Sequence, residues 1–261
     1  MAGSDCSGGA GIQADLKAFS ANETFGMSVI TSVVAENTTR VLSVFNVPVE
    51  EIQKQIDAVF EDIHVDAVKL GMLPTAEIIS AVADKLNEYK PSIIVCDPVM
   101  VATSGDALSE GETVSTMREK LFPIVTLLTP NIPEAEAISG LEIKNENHME
   151  KAARIIMDMG VKNVLVKGGH LTGDAVDYLC TPEGVHKLVC KRVDSPNTHG
   201  TGCTLSSAIT ANLAHGMDML SAVTKAKNYI TEAIEKSFTV GKGHSPVNHF
   251  YDYYDLKGTV L

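Results

Sequence analysis

The chain contains no tryptophan, and aromatic residues make up 5% of its 261 positions. That scarcity argues against an aromatic platform on which single-stranded bases would stack. Positive charge is also in short supply. Lys and Arg number 21 against 33 Asp and Glu, a net charge of −12 with His neutral. Such a surface repels phosphate backbones and anionic bilayers, so no nucleic-acid or membrane partner is expected. A small anionic ligand requires a local pocket that reverses this field. No run approaches the ~20 apolar residues of a membrane span, and Met1–Asp5 lacks the basic and apolar regions of a signal peptide. A cytoplasmic protein is expected. The five cysteines, Cys6, Cys96, Cys180, Cys190 and Cys203, form no CxxC pair. Their odd number and wide spacing fit reduced thiols rather than a disulfide framework or a zinc site. The Asn-x-Thr triplets at Asn22 and Asn37 are then chance matches.

What is present is an alternation of two periods. Apolar strand-like runs occur at Val29–Val34, Ala67–Leu70, Ile93–Cys96, Val125–Leu128 and Asn163–Val166. Helical spacing separates them, as in Ile52, Ile56, Val59, Phe60 and Ile63. Further helices are expected near Thr75–Glu88, Glu112–Leu121 and Met149–Met159. Ala175–Cys180 and Val185–Cys190, separated by Thr-Pro-Glu-Gly, read as a hairpin. Two helices come after it, near Gly202–His215 and Leu220–Phe238. This order predicts an α/β fold: a mainly parallel sheet with helices on both faces. With no repeat or linker-like break, one domain over residues 1–261 is expected. Ligands of such sheets bind beyond the carboxyl ends of the strands.

Several segments sit at those ends. Gly3-Ser4-Asp5-Cys6-Ser7-Gly8-Gly9-Ala10-Gly11 opens a helix carrying Asp15 and Lys17. Its small residues permit close backbone approach to a ligand, and the helix start offers free N–H groups. A glycine-rich turn without a ligand would look the same. The segment does not match G-x-G-x-x-G, and the chain has no G-x-x-x-x-G-K-[ST]. Thr198-His199-Gly200-Thr201-Gly202-Cys203-Thr204 runs into an Ala/Ser-rich helix. The amides of Gly200, Thr201, Gly202 and Cys203 would form a positive concavity suited to a phosphoryl group in transfer. The same field is expected to lower the Cys203 pKa, unless Cys203 is simply a small packing residue. Asp97-Pro98-Val99 stands at the end of the Ile93–Cys96 run, and Asn131-Ile132-Pro133-Glu134 comes after Val125–Leu128. Their carboxylates suit Mg²⁺, although Glu134 equally suits a helix start. Lys167-Gly168-Gly169-His170 places a lysine directly after a strand, within reach of nucleotide phosphates.

In combination and in this order, these segments resemble the hydroxymethylpyrimidine/phosphomethylpyrimidine kinases of thiamine synthesis, in the ribokinase superfamily. The resemblance also uses Leu70-Gly71-Met72-Leu73 and Asp97-Pro98-Val99-Met100, and it spans Ala2 to about Phe250. It implies a ribokinase-like fold and phosphorylation of 4-amino-5-hydroxymethyl-2-methylpyrimidine and of its monophosphate by ATP with Mg²⁺. It also implies a homodimer. By position, Gly3, Ala10, Asp15, Glu36 and Met72 would line the pyrimidine pocket. Gly200, Thr201, Gly202 and Cys203 would form the anion hole, with Cys203 as the base. Lys167, Asn131 and Lys227 would contact ATP, and Asp97 and Glu134 would organise the metal. A loop at Ala102–Asp106 would cover the site. Two departures stand out. The first strand is shortened and begins directly after Met1, and Glu36 occupies a position where Gln is expected. An ionised Glu accepts hydrogen bonds but donates none. The alternatives are a pyridoxal/pyridoxine kinase, a thiol hydrolase pairing Cys203 with His199, and a vitamin-binding sensor without catalysis.

Overall fold

The computed structural model describes residues 1–100, 110–169 and 174–253; the Ala102–Asp106 loop and His170 lie outside them. Strand and helix alternate as the two periods predict. The first half runs β1 (Ala2–Asp5), α1 (Gly11–Ala21), β2 (Ile30–Asn37), β3 (Arg40–Asn46), α2 (Val49–Phe60), β4 (Val68–Leu70), α3 (Ala76–Tyr89) and β5 (Ile94–Cys96). It continues with α4 (Glu110–Thr116), β6 (Leu127–Leu128), α5 (Ile132–Ser139), α6 (Glu146–Asp158), β7 (Val164–Val166), β8 (Ala175–Thr181), β9 (Gly184–Cys190), α7 (Thr201–Ala214) and α8 (Met219–Glu235). The helix expected up to Leu121 is α4 extended by a π-helical turn at Met117–Leu121. β3 has no counterpart in the sequence reading: its side chains are almost all exposed, and its apolar residues Val41, Leu42, Val44 and Phe45 do not alternate with polar ones.

Six strands form one sheet in the order β4-β5-β6-β7-β8-β9, and β1-β2-β3 form a second. Pairing is parallel from β4 to β7 and between β1 and β2, and antiparallel elsewhere. Although β1 is only four residues long, Met1 ties it to β4: its amine donates to the Lys69 carbonyl at 2.8 Å and its carbonyl accepts from Gly71 at 2.9 Å.

Side-chain alternation along the strands divides the core in two. Ile94, Cys96, Leu128, Val164 and Val166 pack with α3, α5 and α6 on one face. Val95, Leu127 and Leu165, one residue out of phase, pack with α7 and α8 on the other. Because both faces are covered, these strands are apolar without interruption. The exception is Lys69 in β4, only 3% exposed. No helix among the described residues is long and apolar enough to cross a membrane.

Candidate active site

The carboxyl ends of β1, β4, β5, β6 and β7 converge on the starts of α1 and α7. Neither of these two helices has a side-chain cap, a feature they share with α2. Thr75, Asn131, Asn145 and Asp218 each cap their helix with a side-chain oxygen. α1 begins after Ala10 and α7 after Gly200, with no side-chain cap at either. Their first turns use other acceptors: the Thr201 amide donates to the Thr198 carbonyl at 3.3 Å, and the Gly11 amide bonds the Cys203 sulfur.

The two glycine segments interlock. Gly200 adopts φ +77°, and a Cβ there would lie 1.9 Å from the Gly9 carbonyl oxygen. Only glycine accommodates both the left-handed backbone and this approach. Asp5, at the end of β1, binds the loops together. Its Oδ1 accepts from the Ser7 amide at 2.7 Å, and its Oδ2 accepts from Gly9 and Ala10 at 3.0 and 2.7 Å. His199 Nε2 also lies 2.9 Å from Asp5 Oδ2. Burial opposes ionisation of Asp5, but the hydrogen bonds from His199, Ser7 and Ala10 win and hold its carboxyl well below the usual range. The same bond, against burial, raises the His199 pKa.

α7 separates two cavities. On one side is a cleft of about 400 Å³ lined by Asn131, Lys167, Thr201, Gly202 and Lys227, with Lys191, Arg192 and Asp177. Four cations face one carboxylate among these described lining residues, so the cleft reverses the field of an acidic protein. On the other side is a pocket of about 110 Å³ lined by Gly3, Ala10, Glu36, Met72, His199 and Cys203. Gly202 and Cys203 are consecutive yet face different cavities. Gly3 makes room for Met72, whose Cε would lie 2.5 Å from a Cβ at that position. Burial and the neighbouring Asp5 push the Glu36 carboxyl up.

Asp97 and Lys167 meet at the head of the large cleft. Lys167 Nζ lies 2.6 Å from Asp97 Oδ1, which also accepts from the Thr129 hydroxyl at 3.1 Å. A Cβ on Gly202 would lie 3.2 Å from Asp97 Oδ2 and 3.4 Å from Lys167 Nζ, so this pair abuts the start of α7. Glu134 forms a capping box with Asn131: each backbone amide donates to the other's side chain, at 2.8 and 2.9 Å. Burial, with Asp97 adding to it, pushes the Glu134 carboxyl up to about 7 against the pull of Lys167. Two buried carboxylates thus share one ammonium, and hard oxygen donors lacking a full counter-charge fit Mg²⁺.

Two expectations are corrected. Asp15 does not reach the small pocket. Its carboxylate is 1% exposed on the inner face of α1, where Oδ1 accepts from Lys69 Nζ and Ser207 Oγ, both at 2.8 Å. The short β4 carries Lys69 into the core, and the ammonium retains Asp15 there. The Cys203 thiol is not lowered. Burial pushes it up to about 11, although nearby Lys69 and an amide bond from Gly11 oppose the shift. At this helix start desolvation outweighs the dipole.

Three contributors lay outside the sequence reading: Asp5 as the loop tie, the Lys69–Asp15 pair, and Asp177 beneath Lys227. A signal existed for two of them. Lys69 is a lone charge between apolar residues of a strand, and Asp177 is a lone charge within the apolar Ala175–Cys180 run. Asp5 carried no signal distinguishing it from an ordinary turn residue.

A family model described as phosphomethylpyrimidine kinase matches residues 5–248. A hydroxymethylpyrimidine/phosphomethylpyrimidine kinase of Haemophilus influenzae is 44% identical over 255 residues, covering 96% of this chain and 95% of that protein. The thiamine biosynthesis bifunctional protein ThiED of Geobacter sulfurreducens is 49% identical over 258 residues, 98% of this chain; the chain spans 53% of that relative's length. Among solved structures, the pyridoxal kinase of Staphylococcus aureus in complex with AMP-PCP superposes with a TM-score of 0.89 at 34% identity, covering 98% of this chain and 93% of that one.

Proposed function

Because the chain belongs to the phosphomethylpyrimidine kinase family, whose fold here is ribokinase-like, we propose that it phosphorylates 4-amino-5-hydroxymethyl-2-methylpyrimidine with ATP. A second transfer, to the monophosphate, then gives the diphosphate used to build thiamine. The observation that carries this reading is the α7 wall. A cationic cleft sized for a nucleotide and a small pocket with polar groups share one helix start, so a phosphoryl group and an acceptor hydroxyl meet across Gly202 and Cys203.

Each residue then has a task. Asn131, Lys167 and Lys227 hold the nucleotide in the large cleft. The amides of Gly200, Thr201, Gly202 and Cys203 receive the charge that develops on the transferring group, preorganised by the fold rather than by solvent. Gly3, Ala10, Glu36 and Met72 enclose the pyrimidine. Glu36 accepts from the ring's amino group, and Asp5 with His199 fixes the loop that forms the floor. Cys203 takes the proton from the attacking hydroxyl. Its thiol titrates high in the free protein, so this step draws on the small thiolate fraction stabilised by Lys69 and the Gly11 amide. Asp97 and Glu134 would hold Mg²⁺, which when bound neutralises phosphate charge. Asp15 acts behind the site, keeping Lys69 charged beneath Cys203.

The protein is read as one cytoplasmic domain working as a homodimer. Exposed Val33 and Phe45, paired across β2 and β3, supply apolar surface for a second copy. A pyridoxal kinase reading is favoured by the likeness to the Staphylococcus aureus enzyme, but the relatives of higher identity are named for the pyrimidine. ADP release measured side by side with the pyrimidine and with pyridoxal separates the two. Faster turnover of the pyrimidine, with its monophosphate as a second substrate, is the expected result; pyridoxal turnover alone would reverse the assignment. A trapped acyl-enzyme without ATP would instead indicate a thiol hydrolase.

A further inference from the structure

One carboxylate ties the large cleft together. Asp177 lies in the middle of β8, and its two oxygens reach different elements. Oδ2 accepts from Lys227 Nζ on α8 at 2.5 Å, with both side chains no more than 8% exposed. Oδ1 accepts from the Gly168 amide at 2.9 Å. Gly168 is the residue after Lys167, and a Cβ at Gly168 would lie 1.8 Å from the Val176 carbonyl oxygen, so this turn is pressed against β8. A single side chain thus joins Lys227 to the turn that carries Lys167, two of the three lysines among the described residues lining the cleft. Resting on the kinase reading, we infer that Asp177 is a positioning residue for nucleotide phosphates, acting through Lys227 and the Lys167 turn.

The reason is electrostatic and geometric. A lysine ammonium sits on a flexible four-carbon stem and is strongly hydrated. Buried without a counter-ion, it would withdraw towards water. Asp177 holds it at the cleft wall before the nucleotide arrives. A phosphate oxygen then meets an ammonium already desolvated and aimed. The Gly168 bond does the same for Lys167 by fixing the backbone from which that side chain projects. The acceptor pocket lies beyond α7 and does not touch Asp177, so the effect is confined to the nucleotide.

The test separates the two bonds. Asp177→Asn retains an oxygen for the Gly168 amide and removes the charge facing Lys227. It should weaken ATP binding about tenfold by calorimetric titration, the loss of one charge-assisted bond, with the pyrimidine KM unchanged. Asp177→Ala should in addition lower kcat, since the Lys167 turn is released. In a Lys227→Ala background, Asp177→Asn should change ATP affinity by less than about twofold, because the route through Lys227 is gone. Where Asp177→Asn fails to fold, Asp177→Glu keeps the charge but displaces it by one methylene, and should weaken ATP binding with the same insensitivity of the pyrimidine KM. Equal losses in both backgrounds, unchanged ATP affinity, or a matching rise in the pyrimidine KM would each overturn the inference. A wild type that binds ATP but turns over none of the hydroxymethyl heterocycles would sink the kinase reading instead, and the titrations would still decide on Asp177.

Discussion

The two cavities on either side of α7 are built from different materials. The large cleft is made of side chains: Lys167 with Asp97, Lys227 with Asp177, and the Asn131–Glu134 capping box. The small pocket is made mostly of backbone and small residues, with Gly3 admitting Met72 and Gly9 pressed against Gly200. Phosphate needs charge, which any cation at a strand end supplies, whereas a small heterocycle needs shape, which only close backbone approach provides. Substitutions should therefore act differently on the two sides.

The largest effect is expected where the two sides meet. Gly200→Ala forces a Cβ onto the Gly9 carbonyl and a left-handed backbone onto alanine. The loops must separate, which misplaces both substrates. Because a shift of about 1 Å alone costs on the order of 10²-fold, kcat/KM should fall at least that far for ATP and pyrimidine alike. A loss confined to one substrate would show that the cavities do not share this wall.

Cys203→Ala comes next. General-base contributions run from about 10² to 10⁴-fold, and the lower end is expected because the thiol titrates near 11. With the pKa raised, the thiolate fraction grows as pH rises. Wild-type kcat/KM should therefore climb between about pH 7 and 10, and Cys203→Ala should lack that limb. Turnover of Cys203→Ala within about threefold of wild type would leave the thiol a packing role only.

Lys167→Ala should lower kcat by about tenfold or more while leaving the pyrimidine KM in place, since the ammonium faces the transferring group rather than the acceptor. On the opposite side, Glu36→Leu should raise the pyrimidine KM by the equivalent of about 1–3 kcal/mol, and Glu36→Gln should stay near wild type. An effect of Glu36→Leu on ATP affinity would contradict the separation of the cavities.

The smallest change concerns the metal. Glu134 is held up to about 7, so below that pH Mg²⁺ must displace a proton from it. The Mg²⁺ concentration for half-maximal rate should fall as pH rises from about 6 to 8, and Glu134→Gln should need more Mg²⁺ with a flatter pH response. An unchanged requirement would leave Glu134 as a helix cap only.

Much of the architecture was legible because both sheet faces are covered. Continuous apolar strands and 3.6-residue spacing are consequences of that burial, and they marked every central strand. β3 was not legible, since its apolar residues Val41, Leu42, Val44 and Phe45 break the two-residue alternation at a register shift against β2. Within the site, Gly3, Ala10, Glu36 and Met72 do share one pocket, and Asn131, Lys167 and Lys227 share the other. Asp15 was misplaced because a helix position near a loop does not reveal which way its carboxylate turns. The direction was set by Lys69, 54 residues away along the chain.

By itself the sequence determined where the chain changes period, where glycine replaces side chains, and which charges stand next to apolar strands. Those are local properties, carried by backbone sterics and burial. Tertiary structure alone decided how charges pair and what burial does to them. Asp5 with His199, Asp15 with Lys69 and Asp177 with Lys227 join residues between 50 and 194 positions apart. The Cys203 thiol rises rather than falls because desolvation depends on everything packed around the sulfur, and the helix start that sequence does reveal is only one of its neighbours.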